Sequence, residues 1–407
     1  MHKPELLIPA GNLEKLRTAL LYGADAVYIG AAGLSLRGAS AEMTIDDIAD
    51  GVAEAHRRSV RVYAALNTFA RDADLQYAAA IVPDLAAAGI DAAIVSDPGM
   101  LRLIRGLAPN LELHLSTQAN TMNVEAVRFW REQGVQRIIL ARELSLREVR
   151  QLAAAVPEVE LEMFVHGAMC VSYSGRCYLS ASLNRRSANQ GDCSQPCRWE
   201  YRLYEKTRPA DPLILEEDEK FSYLLSSKDL CLMEHLPEIV ATGVAALKIE
   251  GRMKSSYYVA VVTRAYRQAL DALAQNPENY YCATGWLKEL QSVSHRGYTT
   301  GFAFCEEKIN ETSPAVKYIQ SHEPAGIVLE YDARQKQVLI EARNHLQADE
   351  EVELLLPGED IVMDTAILSA RSGEHIKEVH SGNLFYLPLD KDVPPGALLR
   401  KKGIPPL

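Results

Sequence analysis

Four cysteines fall within a short stretch of this 407-residue chain, in the pattern C-x6-C-x15-C-x3-C. They are Cys170, Cys177, Cys193 and Cys197. Four thiolates on turns can enclose either a tetrahedral Zn2+ ion or a 4Fe–4S cluster. Structural zinc sites usually come as two C-x2-C pairs, which are missing here, so the uneven spacing favours the larger cluster. Cys231 is an alternative fourth ligand, and the bland alternative is that some of these thiols are ordinary core residues.

The same stretch carries groups that a hydrolase would use. His166, Ser172 and Ser174 lie close to Cys170 in the sequence. However, the serines lack a G-x-S-x-G nucleophile elbow, and no H-E-x-x-H zinc-protease motif occurs in the chain. A thiol already bound to metal is also a poor nucleophile. Protease chemistry therefore has no clear set of residues.

Basic and aromatic residues are interleaved with the cysteines. Arginine binds phosphate and aromatic rings stack on unpaired bases, so this segment could contact a single-stranded RNA loop. A solvated loop explains the same composition equally well. The net charge of −11 argues against a general nucleic-acid coat but leaves room for a local basic surface. The candidate RNA-binding residues are Arg176, Arg185, Arg186, Arg198 and Trp199.

The composition is that of a globular protein, with 48% hydrophobic and 24% charged residues. No window approaches the roughly 20 apolar residues of a membrane span, and the N-terminal apolar run is too short for a signal peptide. We therefore expect a cytoplasmic protein with no membrane partner. In that reducing compartment the seven cysteines are free thiols or metal ligands rather than disulfides. The oligomeric state is left open.

The elements that must position these groups repeat along the first two-thirds of the chain. Helices end in glycine, and short apolar strands follow, as expected for a parallel sheet buried on both faces. Eight strand candidates alternate with helices, which predicts a (β/α)8 TIM-like barrel of class α/β. A doubly wound open sheet is the alternative, weakened by the missing glycine-rich fingerprint after the first strand. The candidates begin near positions 5, 25, 61, 91, 112, 136, 161 and 245.

Barrel active sites lie at the C-terminal ends of the strands. That rule places His166 after the seventh strand and Lys248, Glu250 and Arg252 after the eighth, and these four are the candidate catalytic residues. Other polar residues predicted near the same rim are Asn67, Asp97, Gln118 and Arg142. A polar layer beneath a barrel mouth is common, so each residue taken alone is more often structural than catalytic.

The domain prediction follows from two breaks in this pattern. A Cys-rich insertion, 168–229, separates the seventh strand from the next helix, and long insertions at this face of a barrel are usually functional. From about residue 313 short strands follow one another without helical periods, which predicts a small antiparallel β-barrel. The barrel domain is therefore assigned to 1–312 and the second domain to 313–407.

At this point the motifs become recognisable. The stretch Glu162–Ser180 matches E-x-F-x2-G-[SA]-x-C-x4-G-x-C-x-[LIVM]-S, the signature of the collagenase-like peptidase family of unassigned catalytic type. N-Q-G-D-C-S-Q-P-C-R-W-E-Y, L-K-I-E-G-R-M-K-S-S-Y-Y and H-R-G-Y-T-T-G-F also resemble this family, and the resemblance covers essentially the whole chain. Several of its branches are hydroxylation factors that carry 4Fe–4S clusters. The chain looks most like the tRNA branch, which makes 5-hydroxyuridine.

The resemblance implies that Cys170, Cys177, Cys193 and Cys197 hold a 4Fe–4S cluster. It also implies 5-hydroxylation of the wobble uridine of tRNA, with the arginine-rich insertion on the anticodon loop. A lysine or arginine at the rim would suit a small carboxylate co-substrate such as prephenate. The alternatives are hydroxylation of ribosomal RNA or ubiquinone, a genuine peptidase, and a non-catalytic RNA-binding scaffold with structural zinc.

Overall fold

A closed barrel of eight parallel strands forms the larger part of the protein. The computed structural model describes residues 3–31, 34–35, 43–170, 172–199, 227–304, 318–364, 368–370 and 373–403. The barrel strands are β1 (Glu5–Ala10), β2 (Ala26–Gly30), β3 (Arg61–Leu66), β4 (Ala92–Val95), β5 (Glu112–Leu115), β6 (Arg137–Ile139), β7 (Glu160–Ala168) and β9 (Ala246–Ile249). Each strand pairs with the next, and β9 pairs with both β7 and β1, which closes the barrel.

The helices alternate with these strands as the sequence predicts. Those described are α1 (Leu13–Tyr22), α2 (Ile45–His56), α3 (Asp72–Ala87), α4 (Pro98–Leu107), α5 (Val124–Glu132), α6 (Leu146–Ala155), α7 (Leu179–Asn184), α8 (Leu236–Val240), α9 (Ser256–Gln275) and α10 (Thr284–Ser292). Side-chain hydrogen bonds cap the N-termini of several of these helices. The Asn12 side chain accepts from the Lys15 amide at the start of α1, and Ser145 forms a capping box with Glu148 at the start of α6. Gly23 ends α1 at φ +99°, the left-handed conformation expected of a glycine there.

The interval between β7 and the next helix contains the predicted insertion. Its described part is α7 with three single 3-10 turns, at Tyr173–Gly175, Ala188–Gln190 and Pro196–Arg198. The chain then returns as β8 (Asp229–Cys231), which runs antiparallel to the end of β7 and parallel to β10 (Tyr298–Thr299). Residues 200–226 lie outside the described part. The described part of the insertion lies at the C-terminal mouth of the barrel, where it lines a cavity.

The described strands of the C-terminal domain all pair in antiparallel fashion. Its strands are β11 (His322–Asp332), β12 (Gln337–Ala342), β13 (Leu346–Gln347), β14 (Glu351–Leu355), β15 (Ile361–Asp364), β16 (Glu378–Val379), β17 (Leu384–Pro388) and β18 (Leu398–Lys402). Six of them form a sheet in the order β15-β14-β18-β11-β12-β17, and β13 pairs with β16. The predicted fold class, a TIM-like barrel with a small antiparallel β domain, is confirmed. The predicted domain boundary near 312 falls outside the described residues.

Buried ion pairs join the two domains. Arg400 on β18 contacts Glu289 of α10 across the interface at 2.9 Å, and Arg264 of α9 pairs with Asp360 of the second domain. The Tyr22 hydroxyl at the end of α1 donates to the Leu355 carbonyl at 2.9 Å. These contacts fix the second domain against α1 and α10. Among the described helices, none is both long and apolar enough to cross a membrane.

Candidate active site

A cavity of about 190 Å³ lies at the C-terminal mouth of the barrel. Barrel strands and their following loops supply one wall, and the insertion supplies the other. The barrel side includes Tyr28, Asn67, Gln118, Arg142, Phe164, Lys248, Glu250 and Arg252. The insertion side includes Cys170, Cys177, Cys193, Cys197 and Arg198. The structure thus brings three of the four predicted catalytic residues and all four predicted ligand cysteines to one cavity.

The floor of the cavity contains a buried ion pair. The Lys248 ammonium donates to Glu162 Oε1 at 2.8 Å, and both side chains are buried. Burial lowers the pKa of Lys248, while the Glu162 carboxylate opposes that shift. The ammonium also lies 4.4 Å from the centre of the Tyr28 ring. Lys248 is therefore held at one point, between a carboxylate below it and an aromatic face beside it.

This pair continues into the barrel interior. Glu162 Oε2 lies 3.5 Å from Arg137, whose guanidinium reaches Glu5 at 2.6 Å. The Tyr63 hydroxyl donates to Glu5 at 2.9 Å. Because these groups come from four different strands, the buried charges tie the bottom of the barrel to the lysine at its mouth.

Arg142 and Glu250 form a second polar group at the rim. The Arg142 guanidinium lies 3.9 Å from the centre of the Phe164 ring and donates to the Ala168 carbonyl at 3.2 Å. Its other nitrogen is 4.0 Å from Glu250 Oε2. The Tyr28 hydroxyl lies 3.4 Å from the same carboxylate oxygen. The cavity wall therefore combines the cations Arg142, Lys248 and Arg252 with the carboxylate Glu250.

Gly167 allows the strand ends to approach this closely. It adopts φ +104°, and a Cβ atom there would lie 2.2 Å from the Glu250 carbonyl oxygen. The Glu250 amide donates to the His166 carbonyl at 2.8 Å. A side chain at Gly167 would push Glu250 out of the wall, which explains why the motif has glycine at this position.

The cysteine-bearing loops are held by hydrogen bonds to their own backbone. The Leu179 amide donates to the Cys177 sulfur at 3.3 Å, and the Gln195 amide donates to the Cys193 sulfur at 3.4 Å. Asn189 accepts from the Cys177 amide at 3.1 Å. Such amide donors stabilise thiolates, the form that binds metal. Burial raises the pKa of Cys197, which favours the neutral thiol until a cation is near.

The four cysteines line one wall of the cavity. A tetrahedral zinc ion with Zn–S bonds of about 2.3 Å brings its ligand sulfurs to within about 4 Å of one another, whereas a 4Fe–4S cluster binds one thiolate on each iron and spaces them more widely. Among the described residues, no three of the four cysteine sulfurs lie within 4.8 Å of one another. The wall therefore offers four thiol donors for a metal group, and the 4Fe–4S cluster stays a prediction.

His166 does not line the cavity, unlike the other three predicted catalytic residues. Its ring is buried and packs against the rings of Tyr258, Tyr266 and Tyr298, with centroid distances between 5.4 and 6.1 Å. A register shift between Phe164 and His166 in the β7–β9 pairing changes the side-chain alternation at this point. Burial lowers the pKa of His166 to about 3, so the imidazole is neutral near neutral pH.

We expect His166 to make the protein sensitive to acid. Its folded-state pKa lies below the ordinary value of about 6.5, so stability is lost as the pH falls from about 6.5 toward 3. The free energy of unfolding should drop by about 2 kcal/mol between pH 7 and pH 5 through this group alone. Urea unfolding at the two pH values checks this: His166→Gln should remove that difference, whereas His235→Gln should retain it. An unchanged pH dependence in His166→Gln would contradict the assignment.

The predicted RNA-binding residues fall into two groups. Arg176 donates to the Gln118 carbonyl at 2.9 Å, and Arg198 bonds to the Gln195 side chain, so both are engaged within the protein. Arg186 pairs with Asp192 at 2.7 Å on the surface. Arg185 and Trp199 are exposed. Whether these residues contact RNA stays a prediction.

Several site residues escaped the sequence reasoning. Glu162, Tyr28 and Phe164 were not among the predicted site residues, although Glu162 is an acidic residue in an apolar run and its type could have signalled a buried partner. Glu143 accepts from the Ser174 amide at 2.6 Å and so fixes the turn after Cys170. Tyr178 is 82% exposed beside Cys177, and this exposure depends on the folded loop.

Comparison with known proteins confirms the resemblance seen in the motifs. Residues 11–313 match the model described as Peptidase family U32, and residues 320–400 match Peptidase family U32 C-terminal domain. The chain is 38% identical to the tRNA hydroxylation protein P1 of Bacillus subtilis, covering 98% of this chain and 95% of that protein. It is 40% identical to the 23S rRNA 5-hydroxycytidine C2501 synthase of Escherichia coli, covering 74% and 45%. It is 33% identical to a protein named collagenase from Porphyromonas gingivalis, covering 73% of each chain.

Proposed function

This chain belongs to peptidase family U32, and we propose that it is an RNA-modifying enzyme that hydroxylates C5 of the wobble uridine of tRNA. The observation that carries the proposal is one cavity walled by four cysteines and by Lys248, Glu250 and Arg252. The similarity to a tRNA hydroxylation protein along nearly the full length of both chains supports the choice of tRNA. The match to the rRNA-modifying relative spans less than half of that protein.

In this proposal Cys170, Cys177, Cys193 and Cys197 hold a 4Fe–4S cluster at the cavity wall. When bound, the cluster would supply one-electron transfer next to the substrate. The hydrogen bonds from the Leu179 and Gln195 amides orient two of the thiolates. All four cysteines lie on turns of one insertion. They therefore line one wall of the cavity, and the strand ends line the opposite wall.

The strand ends supply the groups that bind substrate. Arg142, Lys248 and Arg252 stand among the carboxylates Glu143, Glu162 and Glu250, and their N–H donors suit a small carboxylate co-substrate such as prephenate. Glu250 is a carboxylate of this wall and is the group that we assign to accept a proton from the bound substrate. His166 acts here through packing: it holds the strand that carries Phe164 and Gly167 against β9.

Tyr178 is proposed to stack on a base of the anticodon loop. Its ring is 82% exposed one residue after a ligand cysteine, where a base entering the cavity would pass. Stacking is worth about 1–3 kcal/mol per base, so Tyr178→Ala should weaken tRNA binding about tenfold or more. Tyr281→Ala is the matched control, since that ring is 78% exposed but lies outside the insertion, far in the sequence from the cysteines. Equal tRNA affinities for the two variants, measured by filter binding, would contradict the stacking role.

A peptidase remains the second candidate because of the collagenase relative. Among the described residues that line the cavity there is no histidine, so a Cys–His nucleophile pair does not form there. Peptide cleavage by a variant with all four ligand cysteines replaced by serine would favour the peptidase over the hydroxylase.

Nucleoside analysis of a deletion strain tests the proposed function. Its tRNA should lack 5-hydroxyuridine derivatives, while 5-hydroxycytidine in the 23S rRNA should be unchanged. Normal tRNA with altered rRNA would move the assignment to ribosomal RNA. Normal levels of both would reject RNA hydroxylation.

A further inference from the structure

A cluster of two histidines and one glutamate lies on the C-terminal domain, at its two-stranded sheet. His345 Nε2 is 2.8 Å from Glu378 Oε2, and His380 Nε2 is 3.9 Å from Glu378 Oε1. One ligand atom from each of the three side chains lies within 4.8 Å of the other two. None of the three residues lines the cavity at the barrel mouth.

The backbone brings these side chains together. In the β13–β16 pair, Leu346 is opposite Val379 and Gln347 is opposite Glu378. His345 directly precedes β13 and His380 directly follows β16, so the two histidines face each other at the end of the ladder. Their rings stack with centroids 5.0 Å apart and planes 22° apart. The Lys401 ammonium donates to the His345 carbonyl at 2.8 Å and fixes that turn.

A simple ion pair accounts for only part of this arrangement. One histidine is enough to partner Glu378, whose pKa is lowered by the hydrogen bond from His345 and by the nearby His380. A second imidazole directed at the same carboxylate adds a nitrogen donor. Two imidazoles and a carboxylate are the ligand set of many three-ligand zinc sites, which keep a fourth position for water.

We propose that His345, Glu378 and His380 form a binding site for a late first-row divalent cation, with Zn2+ as the expected ion. Imidazole nitrogens favour zinc over the hard cations Mg2+ and Ca2+. Tetrahedral zinc with bonds of about 2.0–2.1 Å holds its donor atoms about 3.3–3.4 Å apart, so the His345–Glu378 pair must open slightly and the His380 nitrogen must move closer. The side chains are 40%, 53% and 67% exposed, so their rotamers are free to make that adjustment.

The position of the site links it to the domain interface. Arg343, two residues before His345, pairs with Glu14 of α1 at 2.7 Å. Glu14 lies in the first turn of α1, directly after the C-terminal end of β1, on the same face of the barrel as the cavity. Zinc bound at His345 would stiffen the turn that carries this interdomain ion pair. The site is independent of the proposed RNA chemistry.

Zinc titration of the full chain, purified anaerobically with its cysteine site loaded, tests the proposal. Wild type should bind one equivalent of zinc in competition with a chromophoric chelator. Its zinc affinity should be at least about tenfold higher than that of His380→Ala or Glu378→Gln. His375→Ala is the matched control, because His375 is an exposed histidine of the same domain outside the cluster. It should bind zinc as wild type does, and zinc should raise the melting temperature of wild type and of this control but not of His380→Ala.

Cobalt spectroscopy identifies the ligands. Co2+ added to the same protein should give weak visible bands without a thiolate charge-transfer band, and His380→Ala should lose them. Equal zinc affinity in wild type and His380→Ala would overturn the proposal. So would cobalt bands that carry a thiolate charge-transfer component and survive in His380→Ala.

Discussion

Replacing Cys193 by serine is expected to abolish modification of the RNA, with a loss of at least about 100-fold. Serine is nearly the same size, but its hydroxyl is a poor ligand for iron, so a cage with three thiolates should hold the cluster weakly or not at all. Cys193 is exposed, and its backbone turn is held by Ser180 and Ser194, which are 2.9 Å apart. The fold should therefore survive the substitution while the brown colour and the iron content are lost.

Cys282→Ser is the control for this prediction. Cys282 is a half-buried thiol of the same chain that does not line the cavity. It should retain iron and modification at wild-type levels, and Cys231→Ser should do so too if Cys231 is not a ligand. Iron analysis and nucleoside analysis of tRNA from complemented deletion strains give the two readouts. Full iron content and full modification with Cys193→Ser would contradict the claim that Cys193 holds a cluster that the reaction needs.

Lys248→Met is expected to destabilise the protein by about 3 kcal/mol and to abolish activity. It would leave the buried Glu162 carboxylate without its ammonium partner, and breaking a buried pair typically costs about 3–5 kcal/mol. The value should fall at the low end because Arg137 remains 3.5 Å from Glu162. Lys336→Met is the control: its pair with Asp390 is exposed on both sides, so the change should be within about 0.5 kcal/mol.

The double variant Lys248→Met/Glu162→Gln separates stability from function. With the buried charge neutralised, its free energy of unfolding in urea should return most of the way to that of wild type. Modification should remain absent, because the ammonium that faces the cavity is still missing. Recovery of modification in the double variant would show that Lys248 is purely structural. An unchanged unfolding midpoint in Lys248→Met alone would show that the pair is not buried in solution.

The barrel could be predicted because the sequence pattern of each strand and helix is contained in a short, continuous stretch of the chain. Each buried strand is an apolar run, four of them follow a helix that ends near a glycine, and the order of such units leaves few topologies. The gathering of the four cysteines at one cavity could be predicted for the same reason, since they lie within 28 residues of one another, whereas the cluster that they would hold stays a prediction. Lys248, Glu250 and Arg252 were predicted at the rim only because barrel active sites lie at the C-terminal ends of the strands.

The pairings inside the site could not be predicted, because they join distant parts of the chain. Glu162 and Lys248 are separated by 86 positions in the sequence, and the residues around either one do not indicate its partner. His166 was expected beside the cavity from its place at the C-terminal end of the seventh strand, but the irregular register between β7 and β9 changes the direction of its side chain. Likewise, composition marks Arg176 as basic but does not reveal that the Gln118 carbonyl already accepts from it.

The most direct test of the central claim is to express this chain in a bacterial strain that lacks its own tRNA hydroxylation proteins. Mass spectrometry of the purified anticodon-loop fragments should then show a gain of one oxygen on the wobble uridine with wild type. The gain should be absent with Cys193→Ser and present with Cys282→Ser. A wobble uridine that stays unmodified with wild type, although the protein is produced with its full iron content, would contradict the account.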